Sequence, residues 1–491
     1  MHWIDLSIFF IYIIIMVGVG FYFYRKNESN DDYYVGGRSM SPWHVGFSVV
    51  ATDVGGGFSI GLGGLGFMIG VAGSWMLFTG LIGAWLAAVF LIPKVREIGD
   101  EVDLFTFPQV FDKFFTPGVG LVAGIISAIG YLGFTSSQIL AGAKLASATF
   151  IELDIQTAAI IMGIIAVGYT VMGGLKAVIY TDTIQWAILL FGLIFVGIPI
   201  SYYAVGGYDA LSTVLAPEFL SLSNITWQDF ANWGITIIPI WFVGMTLYQR
   251  IYACRSEKDA KKAWYIAGVL EYPLMAFMGV LLGLFARLAF QQGMFAADGF
   301  TTMAEMDAEM GLPLLLKNVL PVGMMGIMMS AYFSAIMSTA DSCLMASSGN
   351  IVSDIIERKF NISESSSLRF SQITTLIIGA VSILIAITMT NVLELMLLSY
   401  AFMVSGLFVP IIGALYWKKS SSTGAIAAML GGGFVTLLLT WLSGDTITLF
   451  GASFGNIQMP YGLDPNLYGI TISFILFVSL SYWFPSQEAG A

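Results

Sequence analysis

Residues 46–59 read GFSVVATDVGGGFS and lie in the middle of a long apolar stretch, 43–70. Three consecutive glycines (Gly55, Gly56 and Gly57) and a carboxylate, Asp53, interrupt a helix that is otherwise long enough to cross a bilayer. Hydrocarbon offers no partner to a free N–H or C=O. Unwound backbone therefore survives at membrane depth only where it lines a cavity or is buried in protein. In transporters such breaks present carbonyls and half-helix ends to ions and substrates. Glycines alone serve close helix packing equally well. With Asp53 inside the run, the ion- or substrate-binding reading is the stronger one.

The rest of the chain places this stretch in a membrane. Of 491 residues, 57% are hydrophobic and 10% charged, where a soluble domain carries about 25% charged residues. Mean hydropathy is +0.84. These values exclude a soluble enzyme, a disordered chain and a nucleic-acid binder as whole-chain readings. The two cysteines, Cys254 and Cys343, make no disulfide framework. A net charge of −11 argues against a polyanionic partner. Thirteen stretches are long and apolar enough to span: 4–24, 43–70, 72–94, 118–148, 156–173, 176–203, 231–252, 262–291, 314–357, 368–389, 392–417, 423–443 and 466–485. Their length and lack of alternation exclude a β-barrel. The first has an acid, Asp5, no basic segment before it and no small-residue cleavage site, so it reads as a retained span.

Positive charge sets the expected topology. Seventeen of the twenty basic residues follow odd-numbered spans, including Arg25, Lys26, Lys176, Arg250, Arg358 and Lys359. The acidic loops 204–230 and 292–313 alternate with them. The N-terminus is therefore expected outside and the C-terminus inside. Span 7 carries a weaker break, Pro239 and Gly244 around Trp241. Breaks opening spans 2 and 7 suggest two five-span repeats, and an odd repeat length inverts one against the other. The expected division is 1–42, an extra span and inner loop; 43–203, the first repeat; 204–230, an outer loop; 231–417, the second repeat; and 418–491, two final spans.

Few ionisable groups lie within spans, and each defaults to function because burying a charge there costs at least about 2.5 kcal/mol. They are Asp53, Asp182, Glu271 and Asp341. Asp182 also reads as a solvated group at the inner interface, and Glu271 as a partner of a neighbouring helix. Asp341 belongs to a stripe. Ser334, Ser338, Asp341 and Ser342 share one helical face, with Thr339 beside it. Hydroxyls glue helices together, but hydroxyls with a carboxylate form a hard-oxygen surface suited to a hard cation such as sodium. No phosphate-binding loop, paired-cysteine motif or nucleophile elbow is present in the sequence, so ATP-driven transport and enzyme catalysis have no residues to stand on.

With these residues on the page, the chain resembles the sodium/solute symporter family over nearly its whole length. The matching stretches are 32–38 (DYYVGGR), 51–58 (ATDVGGGF), 173–185 (GGLKAVIYTDTIQ), Gln249-Arg250 and 338–342 (STADS). The motifs are closest to the choline-transporter and proline-symporter branches. The resemblance implies an all-α polytopic fold of the leucine-transporter type, with a five-plus-five inverted repeat and thirteen transmembrane helices. It implies a first sodium site formed by the carbonyls of Ala51, Val54 and Ala335 and the hydroxyls of Ser338 and Thr339. It further implies a second sodium site at Asp182, Ser338, Asp341 and Ser342. One or two co-transported sodium ions follow.

The resemblance puts substrate near Asp53, Gly55, Phe58, Trp241 and Glu271. The choline branch has tryptophan where this chain has Asp53; the proline branch has aspartate there but serine at Gly55. Two acids with the ring faces of Phe58 and Trp241 suit a small cationic or zwitterionic amine. A sugar, sialic acid or another carboxylate is the alternative substrate, and an ion channel the alternative class. The expected partners are the lipid bilayer and a small-molecule substrate, with no nucleic acid and no obligate protein partner.

Overall fold

A computed structural model describes residues 2–24, 35–102, 104–150, 153–357, 364–444, 447–449, 452–454 and 456–485. Arg25, Lys26, Arg358, Lys359 and the start of the 32–38 motif lie outside the described residues, as does the side chain of Lys176. The chain is helical apart from one short ribbon. Its main helices are α1 (Trp3–Tyr24), α2 (Pro42–Ile69), α3 (Trp75–Leu86), α4 (Pro117–Thr149), α5 (Ile155–Gly192), α6 (Trp227–Val243), α7 (Met245–Ala253) and α8 (Glu257–Val269). They continue as α9 (Ala276–Gln291), α10 (Ala308–Val319), α11 (Met324–Ile351), α12 (Glu364–Ala386), α13 (Val392–Tyr416), α14 (Ser422–Ser443) and α15 (Pro465–Trp483). The ribbon pairs Ile447–Leu449 with Ala452–Phe454, antiparallel, in the loop between α14 and α15.

Burial is inverted relative to a soluble protein. Ser48, Thr52, Asp182, Arg250, Ser338 and Ser342 are buried, while Ile14, Ile184, Phe191, Leu384 and Phe434 are more than half exposed. This is the pattern of a bundle with lipid outside and polar groups satisfied within. By length and composition, eight described helices can cross a membrane, or nine if the bent pair α6–α7 is one span. The thirteen stretches of the sequence map onto this unevenly. The backbone stays helical from Ile155 to Gly192, without a loop at Gly173-Gly174. The expected span 314–357 is divided instead. α10 ends at Val319, Gly323 takes a left-handed φ of 90°, and α11 starts at Met324. Asp5 of α1 holds that junction, its carboxylate accepting from Gly323 N (2.7 Å) and Gly326 N (2.9 Å).

At the centre, α2 packs against α8, α9, α10 and α11, and α11 packs against α4 and α5. The α2–α9 contact is backbone on backbone: a side chain at Gly66 or at Gly283 would overlap Val280 O or Gly63 O. Small residues here permit the close approach that replaces hydrophobic driving force inside a bilayer. α3 lies against α6 and α8, and α14 and α15 pack on each other and on α13. The two breaks expected at the repeat starts are present. α2 departs from helical geometry at Gly55 (φ 38°, ψ −160°), and α6 and α7 bend by 44° at Gly244.

Candidate sodium and substrate site

The break in α2 is built against α11. A side chain at Gly55 would overlap Thr339 Oγ1, and one at Gly56 would overlap Ile336. A positive φ together with this contact requires glycine. The Ala51 carbonyl accepts from Thr339 Oγ1 at 2.8 Å. The same hydroxyl lies 3.3 Å from Ala335 O. Beyond the break, Gly57 N donates to Gln138 Oε1 of α4 (2.9 Å) and Ser59 Oγ to Gly55 O (2.6 Å). Ala51, Ala335 and Thr339, three of the five residues expected at the first sodium site, thus converge. Two carbonyls and a hydroxyl around one point are the hard-oxygen donors a sodium ion takes.

Ser338 turns the other way and donates to Asp182 Oδ1. Asp182, on α5, is fully buried rather than solvated at an interface. Its Oδ2 accepts from Ser48 Oγ and lies 3.5 Å from Arg250 Nη2. Arg250, on α7, is itself fully buried. Its Nε donates to Ser48 Oγ (3.0 Å), its Nη1 to Thr246 O (3.1 Å), and its Nη2 to Thr52 Oγ1 (2.5 Å) and Ser342 Oγ (2.8 Å). Of the four residues expected at a second sodium site, Asp182, Ser338 and Ser342 belong to this cluster. The fourth, Asp341, accepts from Thr170 Oγ1 of α5 at 2.5 Å. Arg250, counted in the sequence among the basic residues that set topology, is fully buried in this cluster. Its placement beside Gln249 in a matching motif was the available signal.

Of the substrate candidates, Asp53 and Glu271 meet, and Glu271 and Trp241 lie against the same helix, α3. Asp53 and Glu271 are buried and their carboxyls interact. Asp53 Oδ1 lies 3.5 Å from the Tyr400 hydroxyl of α13. Apart from each other, Asp53 Oδ2 and both carboxyl oxygens of Glu271 meet no hydrogen-bond donor among the described residues. Glu271 stands where α8 gives way to α9, next to non-helical Tyr272 and Pro273. Its carboxyl rests on Gly80 of α3, and the Trp241 ring rests on Gly83, one turn along. Trp241 meets Trp264 edge-on (6.4 Å between ring centres), and its Nε1 has no partner among the described residues. Phe58 is completely buried in the core. Tyr400, packed edge-on against Phe134 at 4.9 Å, was not among the expected residues. A tyrosine in an apolar span carries no signal of its own.

The model of the sodium:solute symporter family matches residues 33–432. The chain belongs to this family. Among relatives, the symporter is 28% identical to the osmoregulated proline transporter OpuE of Bacillus subtilis, over 88% of this chain and 87% of that one. It is 26% identical to the high-affinity proline transporter PutP of the same organism, over 96% and 97%. It is 25% identical to the sodium/glucose cotransporter of Vibrio parahaemolyticus, over 98% and 91%. Its fold matches a substrate-bound, outward-open Na+-coupled sialic acid symporter with a TM-score of 0.78 and 21% identity, each chain 99% covered. The symporter thus couples solute movement to sodium through a multi-pass helical membrane protein.

Proposed function

We propose that this chain takes up a small zwitterionic or cationic amine, proline-like in size, together with sodium. The observation that carries the reading is the pair Asp53–Glu271: two buried carboxyls that face each other beside the α2 break and meet no basic side chain among the described residues. An unpaired buried charge is costly unless something compensates it, and an ammonium or secondary amine supplies that compensation on binding. Both Bacillus subtilis relatives are proline transporters, which agrees with such a solute.

Sodium binds first, between the carbonyls of Ala51, Val54 and Ala335 and the hydroxyls of Ser338 and Thr339. It bridges α2 to α11 and steadies the outward-open form. Substrate then engages Asp53, Glu271 and Trp241, with Gly55 and Phe58 shaping the floor of the pocket. Asp182, Ser338, Asp341 and Ser342 form a second cation-handling cluster. The halves 43–203 and 231–417 rock as inverted repeats within thirteen spans, N-terminus outside. One sodium moving through 100 mV supplies about 2.3 kcal/mol.

Uptake into proteoliposomes tests this directly. Radiolabelled proline, choline, glucose and sialic acid are compared with and without an inward sodium gradient. Sodium-dependent accumulation of proline or another amine is expected. Accumulation of glucose or sialic acid alone overturns the amine reading.

A further inference from the structure

We propose that the cavity at the turn between α13 and α14 binds the phosphodiester headgroup of an anionic phospholipid, held by Lys94, Lys113 and Lys418. The cavity measures about 820 Å³, and these three lysines line it. None of the expected sodium or substrate residues is in its wall. Four helix ends meet around it. α4 begins after Thr116 and α14 after Ser421, while α13 ends before Trp417 and α15 before Phe484. Two helix starts and two helix ends offset each other's dipoles, so the lysines set the sign of the site. No carboxylate lines it among the described residues.

Two of the lysines have local partners that do not close the site. Lys94 Nζ lies 3.1 Å from Glu97 and Lys113 Nζ 2.6 Å from Glu101, every one of these side chains being at least 45% exposed. Exposed pairs of this kind contribute little, and neither glutamate lines the cavity. A phosphodiester therefore recruits both ammonium groups without breaking a buried pair. Neutral groups complete the polar wall. Ser422 Oγ accepts from Thr116 N (3.0 Å) and joins the two helix starts, while Ser421 Oγ accepts from Gly424 N (3.2 Å). The amides of Ser422 and Thr423 fall in the first turn of α14, where a helix supplies no partner of its own, and such amides donate readily to phosphate oxygens.

The rest of the wall favours a lipid over a free phosphate. Phe115, Leu415, Trp417 and Phe484 line it, and the glycerol and first methylenes of a phospholipid cover these faces where a bare anion leaves them wet. Tyr416, Tyr482 and Trp483 stand exposed nearby, as aromatic residues do at headgroup level. The charge pattern assigns this end of the bundle to the inner leaflet, whose surface is anionic. Lys94 and Lys113 belong to the expected first repeat and Lys418 directly follows the second, so one headgroup would span both halves of the symporter.

The test needs neither sodium nor solute, so it stands apart from the proposed transport reaction. The purified, full-length protein is titrated in detergent with phosphatidylglycerol and phosphatidylcholine of the same acyl chains, and bound lipid is counted by native mass spectrometry. The wild type is expected to retain phosphatidylglycerol in preference to phosphatidylcholine. Lys418→Gln is expected to weaken that binding about fivefold, and Lys94→Gln with Lys113→Gln and Lys418→Gln roughly 100-fold. Lys258→Gln with Lys261→Gln and Lys262→Gln, an equal loss of charge on α8, is expected to leave it unchanged. Equal retention of the two lipids by the wild type overturns the proposal, as does an equal loss in the two triple variants, which would mark a diffuse surface effect. Displacement of phosphatidylglycerol by inorganic phosphate at matched ionic strength overturns the lipid in favour of a free anion. If the cavity triple cannot be purified, wild-type affinity in Lys418→Gln, a single exposed substitution, overturns the site by itself.

Discussion

Two buried carboxylates served by the same helix have opposite surroundings. Asp182 meets Ser48 of α2, Ser338 of α11 and the guanidinium of Arg250. Asp53, a few residues further along α2, meets a tyrosine hydroxyl at long range and a second acid, Glu271. The first anion is compensated within the protein. The second pair meets no basic side chain among the described residues. The difference is instructive because both clusters would look alike on a hydropathy plot, as isolated acids in apolar spans. Compensated charge holds elements together; uncompensated charge is where an external cation gains most by arriving.

The largest test of this contrast is to remove the internal cation. Arg250→Met leaves Asp182 buried without its partner and should destabilise the protein by about 3–5 kcal/mol. Thermal unfolding in detergent, in sodium-free buffer, measures it. Arg250→Met with Asp182→Asn should recover most of that loss, since both halves of the pair are gone. If the single variant unfolds at the wild-type temperature, the pair is not the compensated centre described here.

On the uncompensated side the effect should fall on binding, not stability. Asp53→Asn or Glu271→Gln removes one carboxyl from a pair that meets no basic side chain among the described residues. The melting temperature should hold or rise. The half-saturating concentration of an amine substrate should increase roughly 30-fold, about 2 kcal/mol of lost pairing. Competition binding with the substrate that emerges from the uptake screen measures it. A large fall in melting temperature without a change in affinity would move the pair into the structural class with Asp182.

Thr339→Ala addresses the break that lies between the two clusters. It deletes the hydroxyl that meets Ala51 O and Ala335 O. One lost neutral contact is worth about 1 kcal/mol, so the sodium concentration for half-maximal uptake should rise about fivefold. Unchanged sodium dependence in both Thr339→Ala and Ser338→Ala would move the first site elsewhere.

The central break, the polar stripe of α11 and the four intramembrane acids were legible because each violates the apolar rule of a span, and violation is visible in sequence. Arg250 was not, because a positive charge near the end of an apolar run also satisfies the inside-positive rule; only depth separates the two roles, and depth comes from packing. Tyr400 and Gln138 were hidden for the converse reason. Aromatic and amide side chains are common in spans, and what distinguishes these two is the α2 group each one faces. The junction at 320–323 was missed because Pro321 and Gly323 add no charge to the apolar average, while the carboxylate that holds it, Asp5, comes from a helix more than 300 residues earlier.

The smallest effect supplies a control for the whole comparison. Glu305, in the loop between α9 and α10, is a carboxylate with no cation bonded to it among the described contacts. It accepts from Thr301 N (3.1 Å), Thr302 N (3.0 Å) and Thr301 Oγ1 (3.0 Å). These donors hold its carboxyl below the ordinary glutamate range. A folded value depressed below the unfolded one contributes stability above the unfolded value, and loses it as pH falls through the folded value. The melting-temperature difference between wild type and Glu305→Gln should therefore be small and constant near neutrality. It should shrink only once the pH drops below the usual glutamate range. Water and backbone amides suffice to keep this acid charged because it is exposed. Asp182 and Asp53 are buried, so the same anion there needs compensation, which Arg250 gives in one case and the proposed amine solute would give in the other. A difference that instead vanished near neutral pH would show that backbone donors do not hold Glu305 ionised even in solvent, and the contrast between the two buried acids would lose its reference point.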